Sequence, residues 1–109
     1  MADQPEKLTL YKSGMAKFVR QDFAGALEDF KKAVELDPQF GDVYQSMAHA
    51  YEKLGDYDAA LAAAQKAAQC SPDDFLVHTS LSMFYQRKGM IPQAEAEKAI
   101  ALQLQQRRR

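Results

Sequence analysis

The sequence contains a single cysteine, Cys70, among its 109 residues, so no disulfide can form within the chain. Its 14 basic and 15 acidic side chains nearly cancel, which leaves no overall positive field to attract nucleic acid. No apolar run reaches membrane-spanning length, and the N-terminus MADQPEKLTL lacks the basic start and apolar stretch of a signal peptide. These absences predict a cytoplasmic protein whose partners include neither nucleic acid nor membrane.

Motifs that carry chemistry are also missing. The chain has no glycine-rich phosphate loop, and no nucleophile stands beside a sequence-evident base. Met15, His49 and Met83 recur at equivalent positions, but stacked helices lie roughly 8–10 Å apart, whereas metal ligands lie within about 2.3 Å of their ion. We therefore predict that the protein is not an enzyme and uses no cofactor or metal.

What the sequence does contain is an internal repeat with a period of 34 residues. It brings into register the sets Ala26, Ala60 and Ala94; Ala33, Ala67 and Ala101; and Pro38 and Pro72. The repeat divides a single domain, residues 1–109, into units 7–40, 41–74 and 75–108, and repeat positions below are counted from the first residue of each unit. A period of this length is typical of stacked units that cannot bury their apolar faces alone.

The second unit shows what each repeat forms. Over residues 44–54, apolar side chains recur at intervals of three and four, which predicts one amphipathic helix. Gly55 and Asp56 interrupt the pattern, and the alanine-rich run 57–68 resumes it as a second helix. Because the connection is short, we expect the two helices to pack antiparallel.

The string YxxMAxxYxxxGDYxxA, from Tyr44 to Ala60, followed by Pro72, resembles the tetratricopeptide repeat family. The resemblance is specific because eight or more positions agree. It implies an all-α fold, namely a right-handed superhelical α-solenoid of three helix-turn-helix units with six helices. It also implies a non-catalytic scaffold or adaptor that binds another protein.

Cap motifs predict where the first helix of each unit begins. The predicted starts are Asp3-Gln4-Pro5-Glu6, Asp37-Pro38, and Ser71-Pro72 with serine as N-cap and proline at the first helical position.

Two single residues and the C-terminal tail also have a predicted role. Cys70 is interpreted as a small buried hydrophobe and His78 as a partly buried structural residue. The tail Arg107–Arg109 is predicted to complement the last helix dipole or to be disordered, with a contact to nucleic acid or anionic lipid as the alternative.

The third unit carries charged residues at two repeat positions where the first and second units are apolar. Leu27 and Leu61 are followed at position 21 by Glu95, and Phe30 and Ala64 are followed at position 24 by Lys98. This change from apolar to charged predicts that no further repeat stacks there. Ile100 and Leu102 on the same helix leave open a dimer, so we expect a monomer or a weak homo-oligomer.

In the family that this chain resembles, the first helices of successive units line a concave groove. The resemblance therefore implies a partner-binding groove formed by Leu8, Tyr11, Met15, Phe18, Gln45, His49, Lys53, Leu76, Met83 and Arg87. Three such helices span roughly 20–30 Å, which matches about six to nine residues of extended chain. The expected partner is a short peptide or one helix of another protein.

The sequence is compatible with two interpretations of the α1 cluster and with more than one function. The apolar cluster of Leu8, Tyr11, Met15 and Phe18 fits either a groove surface or internal packing, because Lys17 occupies the position where the other units have Tyr51 and Tyr85. The alternatives to an adaptor are a self-assembling structural module and a chaperone-like holder of a secretion or assembly substrate. Capture of a chaperone C-terminal carboxylate is not expected, since the Lys, Asn and Arg of that clamp are replaced by Tyr11, Met15, Ser46, Leu76 and Ser80.

Overall fold

The protein is described by a computed structural model that covers residues 4–107, with side chains from residue 6 onward. Over these residues the chain forms six helices and no strand. They are α1 (Gln4–Val19), α2 (Phe23–Leu36), α3 (Gly41–Lys53), α4 (Tyr57–Cys70), α5 (Phe75–Arg87) and α6 (Ile91–Arg107). None of these helices is long and apolar enough to cross a bilayer. The predicted all-α solenoid is confirmed.

The helices pack as successive hairpins. α1 packs on α2, α3 on α4 and α5 on α6, while α3 and α5 each also pack on the helix that precedes them. The turns within the hairpins use a left-handed residue at the same repeat position: Gly55 with φ 83°, Gly89 with φ 77° and, in the first unit, Gln21 with φ 70°. Such a residue ends a helix and returns the chain sharply.

The core follows the repeated small residues. Ala26, Ala33, Ala60 and Ala67 are fully buried, so their positions bring the paired helices close together. At position 8, Gly14 lies so near the fully buried Phe30 that a Cβ there would stand 2.5 Å from the Cε1 atom of the ring. Small residues at these positions therefore set the spacing between helices.

The predicted proline starts of the second and third units are wrong. α3 begins at Gly41 behind Phe40, which makes no side-chain cap, and α5 begins at Phe75 with Asp74 as its N-cap. The Asp37-Pro38 and Ser71-Pro72 pairs lie in the preceding turns instead. In the first of these turns, the Asp37 carboxylate accepts a hydrogen bond from the backbone N–H of Gln39. In the second, the backbone carbonyl oxygen of Ser71 accepts a hydrogen bond from the backbone N–H of Asp74. The predicted cap at Asp3 lies outside the described residues.

Cys70 is half-buried at the end of α4, so its prediction as a buried hydrophobe is wrong. Its Sγ lies 3.8 Å from the carbonyl oxygen of Pro38, at the junction between two units. The burial of the equivalent residues also differs, since Leu36 is 49% exposed and Leu104 only 6%. Position 30 falls at a helix end, where burial depends on how far each helix continues: α2 and α4 stop there, and α6 runs on to Arg107.

The first helix of each unit lies on the inner face of the solenoid. α1 contacts α3 directly, and no comparable contact joins α2 to α4 within the described residues. α1 and α3 are therefore closer to each other than α2 and α4 are, and the Gln45–Ser80 hydrogen bond links α3 to α5. We call the surface of α1, α3 and α5 that is turned away from the second helices the inner face.

Candidate partner-binding face

A cavity of about 300 Å³ opens on the inner face between α1 and α3. It is lined by Met15, Phe18, Ser46, His49, Glu52 and Lys53. Four of these six residues belong to the predicted groove, and two of them, Met15 and Phe18, form the apolar part. We call this cavity the inner pocket.

The apolar part of the inner pocket is held in place from behind. Phe18 packs edge-on against Phe23 of α2, with ring centroids 5.0 Å apart. Met15 is half-buried against the core, and its sulfur accepts a 3.5 Å hydrogen bond from the Ser46 hydroxyl. These two side chains therefore combine core packing on one side with a surface open to a ligand on the other.

Charged groups form the other side of the inner pocket. Glu52 lies 3.4 Å from His49 Nδ1 and 3.8 Å from the Arg87 guanidinium, which crosses from α5. Arg87 also donates a 2.7 Å hydrogen bond to the Tyr57 hydroxyl. Lys53 is exposed and forms no ion pair with any residue in the described part of the chain. The pocket thus joins an apolar wall to a rim with one uncommitted positive charge.

The predicted cluster on α1 divides into two kinds of residue. Tyr11 is half-buried between Phe30 and Phe40, with ring centroids 6.2 and 5.2 Å away, so it contributes mainly to packing. Leu8, by contrast, is 44% exposed at the N-terminal end of the inner face. Neither residue lines the inner pocket.

The remaining predicted groove residues lie further along the inner face. Gln45 donates a 2.8 Å hydrogen bond to the Ser80 hydroxyl and so ties α3 to α5, while its buried Oε1 has no partner. Leu76 and Met83 on α5 are 58% and 37% exposed and lie outside the inner pocket. The structure therefore brings Met15, Phe18, His49 and Lys53 together in the inner pocket, places Arg87 against its Glu52, and leaves the other predicted residues outside it.

An ion pair that the sequence pattern did not reveal explains the unusual Lys17. Its ammonium group lies 3.1 Å from the carboxylate of Asp29 on α2, which also accepts a 2.6 Å hydrogen bond from Ser13. Burial by itself would raise the pKa of Asp29, but the bonds from Ser13 and Lys17 outweigh it and hold that pKa below its usual range. Lys17 is thus a paired structural residue in place of an aromatic one.

A second missed pair involves His78, which is buried and bonded through both ring nitrogens. Nδ1 lies 2.7 Å from the Glu97 carboxylate and Nε2 lies 2.7 Å from the Pro72 carbonyl oxygen. With Glu97 ionised, both neighbours accept hydrogen bonds, so the two contacts favour the imidazolium form, in which both nitrogens donate. Burial would lower the pKa of His78, but the bonds to Glu97 and Pro72, with the charge of Asp74 nearby, raise it. The prediction of a structural His78 is confirmed.

We expect the protein to lose stability as the pH rises through the folded-state pKa of His78. Since that pKa is raised above the unfolded value of about 6.5, the stabilisation is complete below about pH 6.5 and declines at higher pH. The loss should be on the order of 1 kcal/mol, the net contribution of one hydrogen bond to protein stability. Urea unfolding from pH 6 to 9 would measure it. His78→Tyr, which copies Tyr44 at the same repeat position, should show a flatter profile, and equal slopes for both proteins would contradict the expectation.

A signal for both missed pairs exists within the repeat. Position 23 is Asp29 in the first unit, Ala63 in the second and Glu97 in the third. The first and third units carry an acid at this position. In both units a basic residue of the first helix faces that acid: Lys17 in the first unit and His78 in the third. Comparison of this position across units would have indicated both pairs.

No group of three His, Cys, Asp or Glu side chains within residues 4–107 has the arrangement of a metal site. The inner pocket also offers no nucleophile beside a base: Ser46 donates to the Met15 sulfur, and His49 faces Glu52. Its geometry is suited to holding a side chain by apolar contact, with charge at the rim.

Comparison with known proteins identifies the fold family. A family model described as tetratricopeptide repeat matches residues 20–84. The protein SGT1 homolog of Oryza sativa subsp. japonica is 38% identical over 74 residues, which are 68% of this chain and 18% of that protein. MamA superposes with a TM-score of 0.92 at 23% identity, covering 97% of this chain and 62% of that one. The first TPR of Spaghetti (RPAP3), bound to an HSP90 peptide, superposes with a TM-score of 0.90 at 17% identity, covering 94% of this chain and 82% of that one.

The chain is much shorter than its curated relatives and spans between 14% and 22% of the length of the first three. The shared part is the helical repeat itself, since six helices in three hairpins match the structural neighbours over nearly the whole chain. The family match covers more than half of the sequence. The chain therefore belongs to the tetratricopeptide repeat family.

Proposed function

We propose that the protein is a non-catalytic interaction scaffold that binds a short peptide or helix of another protein on its inner face. The observation that carries this proposal is the inner pocket, whose wall of Met15 and Phe18 faces outward between α1 and α3. One apolar side chain of the partner enters this pocket, and the rest of the ligand follows the inner face toward Leu76 and Met83. Both of these residues are exposed along that path.

The size and chemistry of the inner pocket favour an anchor residue over a small-molecule substrate. At about 300 Å³ it lies at the lower limit of ligand pockets, where one or two side chains fit. Methionine and aromatic walls adapt to different apolar shapes and contribute strongly to protein interfaces. Lys53 at the rim favours an acidic residue next to the anchor, because its charge has no ion-pair partner among the described residues.

A structural neighbour supports the size of ligand. The first TPR of Spaghetti (RPAP3), whose fold this chain shares, is bound to a heptapeptide of HSP90, SRMEEVD. In this chain, Tyr11 and Met15 replace residues of the basic clamp that captures chaperone tails. Tyr11 is packed against two phenylalanines, and Met15 faces the inner pocket. We therefore propose an internal apolar anchor for this chain and not a C-terminal carboxylate.

Met15→Gln is expected to weaken peptide binding about tenfold or more, a cost of about 1.4 kcal/mol, because it places an amide in the apolar wall. Nine-residue peptides selected from a display library on the wild-type protein provide the probe, and fluorescence anisotropy measures their affinity. The matched control is Leu36→Gln, which changes a 49% exposed residue at the end of an outer helix.

The control variant should bind the selected peptides as the wild type does, and thermal unfolding should show that both variants remain folded at the temperature of the binding assay. Peptides that bind Met15→Gln and the wild type equally would show that the inner pocket is not the anchor site. A library that yields no binder would argue against peptide capture by this face altogether.

A further inference from the structure

Four residues of α6 form an exposed stripe at the C-terminal end of the solenoid. Ile91, Glu95, Lys98 and Leu102 are separated by four, three and four residues, which places them on one helical face. Ile91 is 48% and Leu102 51% exposed, and Glu95 and Lys98 are exposed as well. Neither charged residue forms an ion pair within residues 4–107. We call these four residues the α6 stripe.

Two residues of the α6 stripe, Glu95 and Lys98, occupy repeat positions that are apolar and buried in the other units. At position 21, Leu27 and Leu61 are buried, and at position 24, Phe30 and Ala64 are fully buried. α2 and α4 each also pack on the helix that follows them, α3 or α5. Within residues 4–107 no helix follows α6, so Glu95 and Lys98 are left exposed there.

A second cavity adjoins the α6 stripe. It has a volume of about 330 Å³ and lies between α5 and α6. Its lining is Thr79, Ser82, Met83, Gln86, Lys98, Ala101, Leu102 and Gln105. The end of the solenoid thus offers an apolar surface around Leu102 and Met83 with Glu95 and Lys98 along its edge.

The order of side chains in the α6 stripe is self-complementary. From Ile91 to Leu102 it runs apolar, acidic, basic, apolar, which is the same pattern in either direction. We propose that α6 pairs antiparallel with α6 of a second copy about a two-fold axis. Ile91 then lies on Leu102 of the second copy, and Glu95 lies on its Lys98, with each contact made twice.

Other arrangements of this surface match less well. A parallel pairing would set Glu95 against Glu95 and Lys98 against Lys98, and like charges in contact are unfavourable. A fourth repeat stacked here would bury Glu95 and Lys98 where the inner units bury leucine, phenylalanine or alanine, which is costly for charges without partners. Only the antiparallel copy gives every residue of the stripe a partner of suitable chemistry.

The proposed dimer should be weak and sensitive to salt. The stripe extends over about 16 Å of helix, so the interface falls in the class below about 1,200 Å² of buried surface that is typical of transient contacts. Two surface ion pairs add little affinity but fix the orientation, and salt screens them. Each copy keeps its inner pocket between α1 and α3 free.

Charge reversal tests the pairing directly. We expect Glu95→Lys and Lys98→Glu each to weaken self-association about tenfold or more, because each creates a stripe of one sign. An equimolar mixture of the two variants should regain the dimer, since one stripe is then wholly basic and the other wholly acidic. The double variant Glu95→Lys/Lys98→Glu should also dimerise. Sedimentation equilibrium from about 10 µM to about 1 mM covers the range of such weak contacts.

A matched pair of lysine substitutions separates the stripe from the rest of α6. Leu102→Lys should abolish the dimer. Ile100→Lys should leave it unchanged, because position 26 carries exposed Lys32 and Lys66 in the other units. A wild-type protein that stays monomeric throughout this range would overturn the proposal, as would a dimer that survives Leu102→Lys or a mixture of charge variants that fails to associate. Peptide binding at the inner pocket is measured separately, so either proposal can fail without the other.

Discussion

Gly14→Ala is expected to lower the free energy of unfolding by about 1–3 kcal/mol, which is the usual cost of overpacking a core. The new Cβ would stand 2.5 Å from Cε1 and 2.7 Å from Cδ1 of Phe30, and that ring is fully buried. Alanine in place of glycine would normally stabilise a helix by about 1 kcal/mol. Because the two effects oppose each other, a net loss of unfolding free energy would show that the contact with the Phe30 ring outweighs the gain in helix propensity.

The second unit supplies the control for this substitution. There the equivalent residues are Ala48 and Ala64, both fully buried, so an alanine fits on α3 when its neighbour is small. In a Phe30→Ala background, Gly14→Ala should therefore become neutral or stabilising, although Phe30→Ala itself costs about 3–5 kcal/mol. Urea unfolding of the four proteins gives the cycle. A stabilising Gly14→Ala in the wild-type background would refute the argument.

The architecture was predictable because it depends on repeated local patterns. The period of 34 residues, the three- and four-residue spacing of apolar side chains and the Gly55 turn each specify backbone geometry with few alternatives. Positions 20 and 27 of every unit are alanine, and all six of those alanines are buried to 7% exposure or less. Because the alanines recur in register in all three units, each unit supports the structure predicted for the other two.

The helix starts were harder to predict because two local interactions compete for the same residue. An aspartate before a proline can cap a helix or close the turn before it. Asp37 closes the turn, since Lys7 of α1 forms an ion pair with its carboxylate at 2.5 Å and Gln39 donates its backbone N–H. Lys7, a residue 30 positions away, supports the turn through its ion pair with Asp37, and local sequence patterns do not reveal that contact.

The candidate site was predictable as a set of positions but not as a pocket. The repeat assigns Tyr11, Gln45 and Thr79 to the same place on the inner face, yet only Tyr11 turns toward large aromatic neighbours. The inner pocket lies between α1 and α3, where Ser46 meets Met15, whereas the equivalent Ser80 on α5 is bonded to Gln45. Such differences depend on which side chains meet across two helices, and the period alone carries no information about that.

Lys17→Tyr is expected to destabilise the protein by about 1–3 kcal/mol even though it copies Tyr51 and Tyr85 of the other units. The substitution removes the ammonium group that lies 3.1 Å from the Asp29 carboxylate. Asp29 would remain buried with only the Ser13 hydroxyl as a partner. Tyrosine, which the other two units carry at this position, should therefore destabilise the first unit, because its neighbour there is the buried carboxylate of Asp29.

The matching neighbour is alanine, as in the second unit, where Tyr51 is followed at position 23 by Ala63. Lys17→Tyr/Asp29→Ala should thus be more stable than Lys17→Tyr alone, with a coupling free energy of about 0.5–3 kcal/mol between the two positions. Asp29→Ala alone should cost less than Lys17→Tyr, because Lys17 is 30% exposed in its side chain and can extend its charge into water. Urea unfolding at pH 7 measures all four proteins. Additive effects would mean that Lys17 and Asp29 act independently, and the ion pair would then not be the reason that this unit lacks its aromatic residue.

The same cycle has a pH signature, because Asp29 has a lowered pKa in the folded protein: burial opposes that shift, and the bonds from Ser13 and Lys17 overcome it. Its stabilising contribution is complete above the unfolded-state pKa of about 3.9 and is lost as the pH falls through the folded-state value. The wild type should therefore lose more stability on acidification than either protein that carries Asp29→Ala. If the acid dependence were the same in all four proteins, the stabilisation would come from packing of the Lys17 alkyl chain and not from its charge.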